Sequence, residues 1–158
     1  MEGTVLRGVA CDKNQSKLTV KGVRDEPGIA ARLFKELAAA EVNVDMIVQN
    51  TGANQTTDIS FTVPTESFNR THKVVLAVAR SLGEGELLVE EEMAKVSVVG
   101  VGMRTQPGVA HTTFATLADA RINIDMISSS DIRISVVIDR ESADRAVGLL
   151  HEAFGLGA

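Results

Sequence analysis

The chain has no tryptophan and no tyrosine, and its 158 residues include 5 phenylalanines, 3 prolines and a single cysteine, Cys11. With so few aromatic rings, a base-stacking platform for single-stranded nucleic acid is not expected. One cysteine excludes an internal disulfide and is typical of a protein that works in the reducing cytosol. We expect Cys11 to be a small residue at a strand end rather than a reactive thiol.

Positive charge is also scarce, because 16 lysines and arginines stand against 21 aspartates and glutamates, for a net charge of −5. A general nucleic-acid-binding surface needs a basic footprint, so nucleic acid is not expected as a partner. No apolar run approaches the ~18 residues of a membrane span. Charges occur throughout the N-terminal region, which argues against a secretory signal. These features predict a cytoplasmic protein without a membrane partner.

Sequence motifs of enzymes and metal sites are missing as well. There is no Walker loop, no Gly-x-Gly-x-x-Gly run, no Cys-x-x-Cys pair and no His-Glu-x-x-His. The three histidines, His72, His111 and His151, are scattered over predicted helices and are expected at surfaces or helix ends rather than on a metal. We therefore predict no catalytic residue, no metal and no cofactor.

The strongest positive signal is an internal repeat. Residues 22–47 recur without a gap as residues 102–127, with 13 of the 26 positions identical. A buried face needs volume and not identity, so packing explains the shared apolar positions only. It does not explain a repeated Pro-Gly turn and a repeated Asn-x-Asp pair. The chain is therefore predicted to be two copies of one small module, each too small to be more than marginally stable alone.

Apolar periodicity predicts a β-α-β-β-α-β order in the first copy. The predicted strands are 18–21, 42–49, 59–63 and 86–90, with one helix after Pro27 and a second helix capped by Thr65 and stopped by Gly83. The second copy repeats this order with strands 96–101, 122–128 and 132–138, a helix after Pro107, and a last helix capped by Asp139 that ends near Phe154 and Gly155. No fourth strand follows in the second copy.

The missing strand would leave an unpaired sheet edge. Residues 4–10 have strand character and precede the first copy. We therefore expect this N-terminal strand to complete the second copy, with the first copy inserted within the second. The predicted domains are residues 15–92, and residues 1–14 together with 93–158. Each is expected to be an α+β ferredoxin-like βαββαβ domain, with an antiparallel sheet and both helices on one face.

Polar residues of the first copy suit the recognition of an amino acid. Backbone N–H groups at a helix start are a ready site for a carboxylate, and Gly28 lets a ligand approach the backbone closely. Asp25 and Asp45 are expected to balance an ammonium group, and Asn43 and Gln49 to recognise the side chain. If Val42, Val44 and Met46 point to the helices, Asn43, Asp45 and Gln49 point to the other face. The alternative is an ordinary solvated surface.

Several segments resemble the regulatory ACT domains of aspartate kinases. Residues 22–28, 43–50 and 57–61 resemble the first ACT domain of that family, and residues 96–104, 106–110, 123–128 and 150–154 resemble the second. The resemblance covers nearly the whole chain. In some bacteria of this family the regulatory β subunit is made separately from the catalytic α subunit, and its second ACT domain is split by the first.

The resemblance implies feedback control of aspartate phosphorylation, on the route to lysine, threonine and methionine. It implies a homodimer of regulatory chains, a catalytic α subunit as partner, and an amino-acid effector, threonine first and lysine second, bound between ACT domains. The positions that match the family's effector contacts are Asp25, Glu26, Pro27, Gly28, Ile29, Ala30, Asn43, Val44, Asp45, Gln49, Asn123, Ile124 and Ser130.

Departures from the family pattern leave the effector of the second domain open. Thr105 and Gln106 stand where a Ser-His pair is frequent, and they replace the acidic Asp25 and Glu26 of the first copy. Three other functions stay open at this point. They are a purely structural dimerisation module, an ACT sensor that serves a different biosynthetic enzyme, and a small enzyme on a ferredoxin-like scaffold.

Overall fold

A computed structural model describes residues 5–52, 54–82, 85–101 and 107–156 of the chain. In chain order its elements are β1 (Val5–Arg24), α1 (Ile29–Ala39), β2 (Ile47–Thr51), β3 (Thr56–Pro64), a 3-10 turn (Thr65–Ser67), α2 (Phe68–Ala79), β4 (Glu86–Val101), α3 (Pro107–Asp119), β5 (Met126–Ser129), β6 (Arg133–Asp139), a 3-10 turn (Arg140–Ser142) and α4 (Ala143–Ala153).

The chain divides into two compact units. We call Asn14–Glu92 the inserted unit, and Met1–Lys13 together with Met93–Ala158 the split unit. The predicted insertion of the first copy within the second is therefore confirmed. The domain bounds of 15–92 and of 1–14 with 93–158 stay predictions.

The inserted unit has the strand order β2-β3-β1-β4. Antiparallel pairing sets Leu18 opposite Phe61 and Val20 opposite Ile59. Facing residues of an antiparallel pair share one side of the sheet, so these four side chains form one apolar face. The face is buried under the apolar stripes of α1 and α2, including Leu33, as the ferredoxin-like prediction required.

The split unit repeats this arrangement in the order β1-β4-β6-β5. Val96 and Val98 of β4 face Val136 and Ile134 of β6, and helices α3 and α4 cover them. Leu6 and Val9 of β1 pack against the same core. The N-terminal strand thus completes the second copy, as predicted; Thr4, the first residue of the predicted segment, lies outside the described residues.

Two pairs of predicted strands are single long strands in the structure. Residues 5–10 of the first predicted strand and residues 18–21 both belong to β1, and segments 86–90 and 96–101 both belong to β4. The sequence hides this because polar residues separate the apolar runs. In β1 these include Gln15 and Ser16, which are buried although polar. Cys11 consequently lies inside β1 rather than at a strand end, where we had expected it.

The strand after the first helix begins later than predicted in both units. β2 begins at Ile47 and not at residue 42, and β5 begins at Met126 and not at residue 122. The residues just before these strands have an irregular backbone. Their apolar side chains nevertheless alternate with polar ones in sequence, as the side chains of a strand do.

The predicted caps of the second helices are wrong as well. Thr65 begins one short 3-10 turn and Asp139 precedes the other, and neither α2 nor α4 has a side-chain hydrogen bond at its cap. α2 ends at Ala79, and Gly83, its predicted stop, lies outside the described residues. α4 ends as predicted, with Phe154 as its C-cap and Gly155 in a left-handed conformation.

Within the described residues, no helix is long and apolar enough to cross a membrane. The same ranges hold no group of three or more histidine, cysteine, aspartate or glutamate side chains arranged to bind a metal ion.

Candidate functional site

The last residues of β1 are shaped by a bulge. Pairing with β3 shifts register between Val20 and Val23, and Gly22 adopts φ 74° within the shift. The N–H of Gly22 donates to a carboxylate oxygen of Asp58 over 2.8 Å. A glycine is needed here because a side chain disfavours this left-handed conformation. The bulge turns the end of β1 and so directs the chain into the loop that follows.

That loop carries the first four candidate effector residues, Asp25 to Gly28, and the next two, Ile29 and Ala30, open α1. The N–H of Asp25 donates to the carbonyl of Gln55 over 2.9 Å, which fixes the loop to the hairpin between β2 and β3. Gly28 has φ 94° and is the N-cap of α1. Pro27 therefore precedes the helix. The N–H of Ile29 donates to the carbonyl of Glu26 over 3.4 Å, and the N–H groups of Ala30 and Ala31 have no partner within the helix and attract an anion.

The charged side chains of this loop differ in whether an opposite charge already pairs with them. Arg24 and Glu26 form an exposed ion pair, with 3.7 Å between guanidinium nitrogen and carboxylate oxygen. Asp25 is exposed beside them. The loop thus offers helix N–H groups to a carboxylate and the Asp25 carboxylate to a cation.

Gln49 lies on the helix side of the sheet, which corrects the predicted orientation. It is paired with Ile59, a core residue, and facing residues share one side. The irregular path before Ile47 shifts the alternation by one residue, so Val44 and Gln49 both end on the helix side. The shift moves Gln49 to the side on which α1 begins.

A hydrogen-bond chain directs the Gln49 amide toward the loop. Its nitrogen donates to the Thr57 hydroxyl over 3.3 Å, and that hydroxyl donates to the Asn50 carbonyl over 2.9 Å. Thr57 is fully buried and pairs with Val23, two residues before Asp25. Two residues of strand span about 7 Å, so the Gln49 amide lies within about 7 Å of the start of the loop, measured along the strands. We call residues 25–30 with Gln49 and Thr57 the turn site.

Asn43, Val44 and Asp45 lie at the opposite end of the inserted unit. The N–H of Asp45 donates to the carbonyl of Thr62, whereas the loop is fixed to Gln55. Six residues of β3, 56–61, lie between Gln55 and Thr62, so the two carbonyls are roughly 20 Å apart along the strand. The structure therefore does not bring Asp45 and Asn43 together with Asp25 and Gln49, and the prediction that these residues surround one ligand within a single copy is wrong. Local sequence could not reveal this, since it depends on strand register.

The split unit separates its candidate residues in the same way. The N–H of Ser130 donates to the carbonyl of Arg133, at the start of β6. The N–H of Asp125 donates to the carbonyl of Val137, near the other end of the same strand. Asn123 and Ile124 precede Asp125 and belong to that second end. Thr105 and Gln106, where the family pattern is lost, lie outside the described residues.

An open groove occupies the Asn123 end of the split unit. Its volume is about 550 Å³, and it is lined by Phe114, Ala118, Arg121, Ile122, Asn123, Ile124 and Ile127. Ile127 is 48% exposed on the edge strand β5, and its counterpart Ile47 is 54% exposed on the edge strand β2. Two predicted effector residues thus line an apolar groove with one cation, Arg121. We refer to these seven residues as the groove.

Sequence reasoning overlooked Thr57, which orients Gln49, and Asp58, which fixes the bulge. Both lie in the segment that carried the family resemblance, but neither was assigned a role. The signal that marks them is that Thr57 breaks the alternating apolar series of Ile59, Phe61 and Val63, and that Asp58 is the one charged residue of β3.

Comparisons with known proteins agree with this geometry. A family model described as "ACT domain" matches residues 18–77 and again residues 96–154. An aspartokinase from Mycolicibacterium smegmatis is 45% identical over 159 residues, which cover 99% of this chain and 38% of the relative. The chain thus spans less than half the length of the curated relatives that it matches.

Two solved structures match almost end to end. A structure of aspartokinase alpha and beta subunits contains a chain that is 43% identical, with a TM-score of 0.90 over 96% of this chain and 100% of that one. The regulatory subunit of aspartate kinase from Thermus flavus is 36% identical, with a TM-score of 0.88 over 94% of this chain and 98% of that one.

These matches define first a class, a pair of tandem ACT domains of ferredoxin-like fold. The chain belongs to the ACT domain family, as the regulatory region of an aspartate kinase. It corresponds to a non-catalytic part of that kinase, because the solved chains that it covers in full include isolated regulatory subunits.

Proposed function

We propose that this chain binds threonine, with lysine as the second candidate, and thereby mediates feedback inhibition of aspartate phosphorylation. The pathway concerned is the biosynthesis of lysine, threonine and methionine. The proposal extends the family membership to a particular ligand and rests on the geometry of the turn site.

The observation that carries the proposal is the position of the Gln49 amide, held by Thr57 at the end of the sheet where α1 begins. Three chemical groups meet there. The N–H groups that open α1 suit a carboxylate, Asp25 suits an ammonium group, and Gln49 suits a side-chain hydroxyl. The Gln49 amide uses one of its N–H groups to bond Thr57. Its amide oxygen can therefore accept a hydrogen bond from the side-chain hydroxyl of the ligand. Threonine carries these three groups on adjacent carbon atoms.

The charges of the loop favour threonine over lysine. Lysine adds a second ammonium group, which needs a second carboxylate. Glu26 is the next carboxylate in the loop, but it already forms an ion pair with Arg24. Threonine needs only the exposed Asp25.

A second copy of the chain completes the site in this proposal. Within either unit the two groups of candidate residues lie at opposite ends of the sheet, and an amino acid is far too short to reach both. We therefore assign Asn123 and Ile124, in the groove of a partner chain, to the other side of the ligand. The exposed Ile47 and Ile127 on edge strands support association, because unpaired apolar edges favour pairing with another chain.

Regulation follows from the ligand's preference for one arrangement of the dimer. An effector that bridges two chains stabilises the arrangement in which both halves of its site meet, and the catalytic α subunit responds to that arrangement. Couplings of this kind amount to ~1–3 kcal/mol. We also propose a cytoplasmic location, on the presence of a single cysteine.

Thermal unfolding in the presence of amino acids tests the proposal. Threonine at about 100 times its dissociation constant adds ~2.7 kcal/mol to the stability of the folded chain. For a chain of this length the Tm then rises by about 5–10 °C. L-Threonine, L-lysine and their mixture are compared with D-threonine, which has the same groups in the wrong geometry. If none of the three additions shifts the Tm beyond the D-threonine control, the sensor function is refuted.

The exposed edge isoleucines also favour a second candidate, a structural dimerisation module. It predicts association at micromolar concentration that no amino acid changes, which sedimentation with and without threonine detects. Co-purification of a catalytic partner other than aspartate kinase would instead indicate a sensor for a different enzyme.

A further inference from the structure

Helix α1 ends in a Schellman motif directly before the candidate segment of the inserted unit. The N–H of Glu41 donates to the carbonyl of Ala38, and the N–H of Val42 donates to the carbonyl of Leu37, both over 3.0 Å. This pair of bonds requires a left-handed residue at Glu41, which has φ 57°. Val42 and Leu37 are both buried in the core, the apolar contact that accompanies the motif. Asn43 follows at once.

Helix α3 ends in the same motif before Asn123. Arg121 donates to Ala118 and Ile122 donates to Leu117, each over 2.9 Å. Arg121 has φ 59°. A glycine is the usual residue at this position because a side chain disfavours a positive φ. Neither copy has one, so each unit holds a strained residue immediately before its candidate effector segment.

An arginine from the second helix of each unit stabilises this strained end. Arg145 of α4 donates to the carbonyl of Ala120 over 3.1 Å. Arg70 of α2 donates to the carbonyl of Glu41 over 3.2 Å. The Ala120 carbonyl directly follows the last residue of α3 and lacks a partner within the helix, and arginine is suited to satisfy it. The Glu41 carbonyl is not equivalent, because it belongs to the left-handed residue itself, beyond the end of α1. Both arginines lie in regions of sequence that the repeat of residues 22–47 does not include.

We infer that Arg145 is a positioning residue for effector binding. By holding the Ala120 carbonyl it fixes the left-handed turn at Arg121. That turn sets the path along which Asn123 and Ile124 line the groove. In the inserted unit Arg70 holds the left-handed residue directly, through the Glu41 carbonyl. The inference rests on the proposed function, since it concerns residues assigned there to the amino-acid ligand.

The test is a calorimetric titration of threonine, and separately of lysine, into the full chain and its variants. Arg145→Ala is expected to weaken binding about tenfold, and Arg145→Lys, which keeps a donor, by less. Arg140→Ala is the matched control. Arg140 also donates to a backbone carbonyl of the split unit, that of Lys13 over 2.8 Å, but it does not line the groove. We expect Arg140→Ala to bind within twofold of the unaltered chain even where its Tm falls.

A backbone rescue separates positioning from general stability. Arg121 itself lines the groove, so Arg145→Ala is also measured in an Arg121→Gly background and compared with Arg121→Gly alone. Glycine adopts the left-handed turn without strain, so Arg145→Ala is expected to cost little affinity in that background. An equal loss with and without Arg121→Gly would contradict the inference. So would equal binding by Arg145→Ala and the unaltered chain, or equal losses in Arg145→Ala and Arg140→Ala. If the unaltered chain binds neither amino acid, the proposed function fails, and the inference fails with it.

Discussion

The side-chain nitrogen of Gln49 lies 3.3 Å from the hydroxyl oxygen of Thr57, on the neighbouring strand of the sheet. The hydroxyl in turn donates to the Asn50 carbonyl, so its orientation is fixed by a second bond. Gln49 is exposed, and Thr57 is fully buried. A surface amide is thereby held by a buried group, which lowers the entropy that it loses when it binds a ligand.

Replacing Gln49 by alanine should remove threonine binding and leave the fold intact. The side chain is exposed, so we expect a change in the free energy of unfolding of at most about 0.5 kcal/mol. Asn50→Ala is the matched control, since adjacent side chains of a strand point to opposite faces. Calorimetric titration with threonine measures both variants. Loss of binding in Asn50→Ala with retention in Gln49→Ala would reverse the assignment.

Thr57→Val keeps the shape of the buried side chain but removes its hydroxyl. The Asn50 carbonyl loses its donor and the Gln49 amide its acceptor, so we expect destabilisation of about 1–3 kcal/mol in urea unfolding. Threonine affinity should also fall, but only while Gln49 is present. If Thr57→Val weakens binding equally in the Gln49→Ala background, the two residues do not act together.

Gly28 and Gly108 should respond in opposite directions to alanine. Gly28 has φ 94°, where a side chain is strained, so Gly28→Ala should cost about 1–2 kcal/mol. Gly108 lies within α3 without a positive φ, and an alanine side chain there meets no atom within 4 Å. Gly108→Ala should therefore stabilise the chain by about 0.5–1 kcal/mol. Urea unfolding of the two variants measures this, and equal effects would contradict the described helix starts.

Ser97 and Ser135 form a buried hydroxyl pair in the split unit, 2.7 Å apart on β4 and β6. Either alanine variant leaves one buried hydroxyl without this partner, at a cost of about 1–3 kcal/mol. Removing both hydroxyls should cost less than the sum of the single variants. A double-mutant cycle by urea unfolding measures the coupling, and additive losses would show that the hydroxyls do not depend on each other.

Cys11 should react slowly with iodoacetamide. Partial desolvation raises the pKa of its thiol above the usual value of 9.0, although the residue is exposed. A raised pKa lowers the thiolate fraction at any given pH, and the thiolate is the reactive form. The midpoint of the rate against pH should thus lie above 9.0. Lys13 lowers this pKa and Asp144 raises it, so Lys13→Gln should slow the reaction further and Asp144→Asn should accelerate it. The opposite order would refute this electrostatic description.

The internal repeat predicted the fold well, because each copy contains both the apolar spacing of helices and strands and the residues that form turns. Helix α1, strands β3 and β6, and the insertion of one copy in the other follow from it. The missing strand of the second copy was the most informative absence, because a sheet edge has to be paired. Polar residues such as Gln15 and Ser16 hid the continuity of β1, because burial of a polar strand residue depends on partners that the sequence does not display.

The candidate site was less predictable than the fold. The loop at Asp25 and Gly28 was found from its turn residues, because a left-handed glycine leaves a local signal. The side on which Gln49 lies could not be found, because the irregular path before Ile47 shifts the alternation by one residue. The separation of Asn43 from Asp25 depends on the register of β3 and is visible only in three dimensions.

The identical Pro-Gly pairs of the two copies are another case in which the local sequence does not determine the local structure. Gly28 precedes α1 in a left-handed conformation, whereas Gly108 lies inside α3. One sequence motif therefore takes two backbone conformations in the two copies, which no pattern within the motif could predict.

Titration of L-threonine into the purified chain by isothermal calorimetry tests the central claim most directly. The account predicts saturable binding of L-threonine that D-threonine does not reproduce and that Gln49→Ala abolishes while Asn50→Ala retains it. Absence of heat beyond dilution with both threonine and lysine, or undiminished binding by Gln49→Ala, would contradict it.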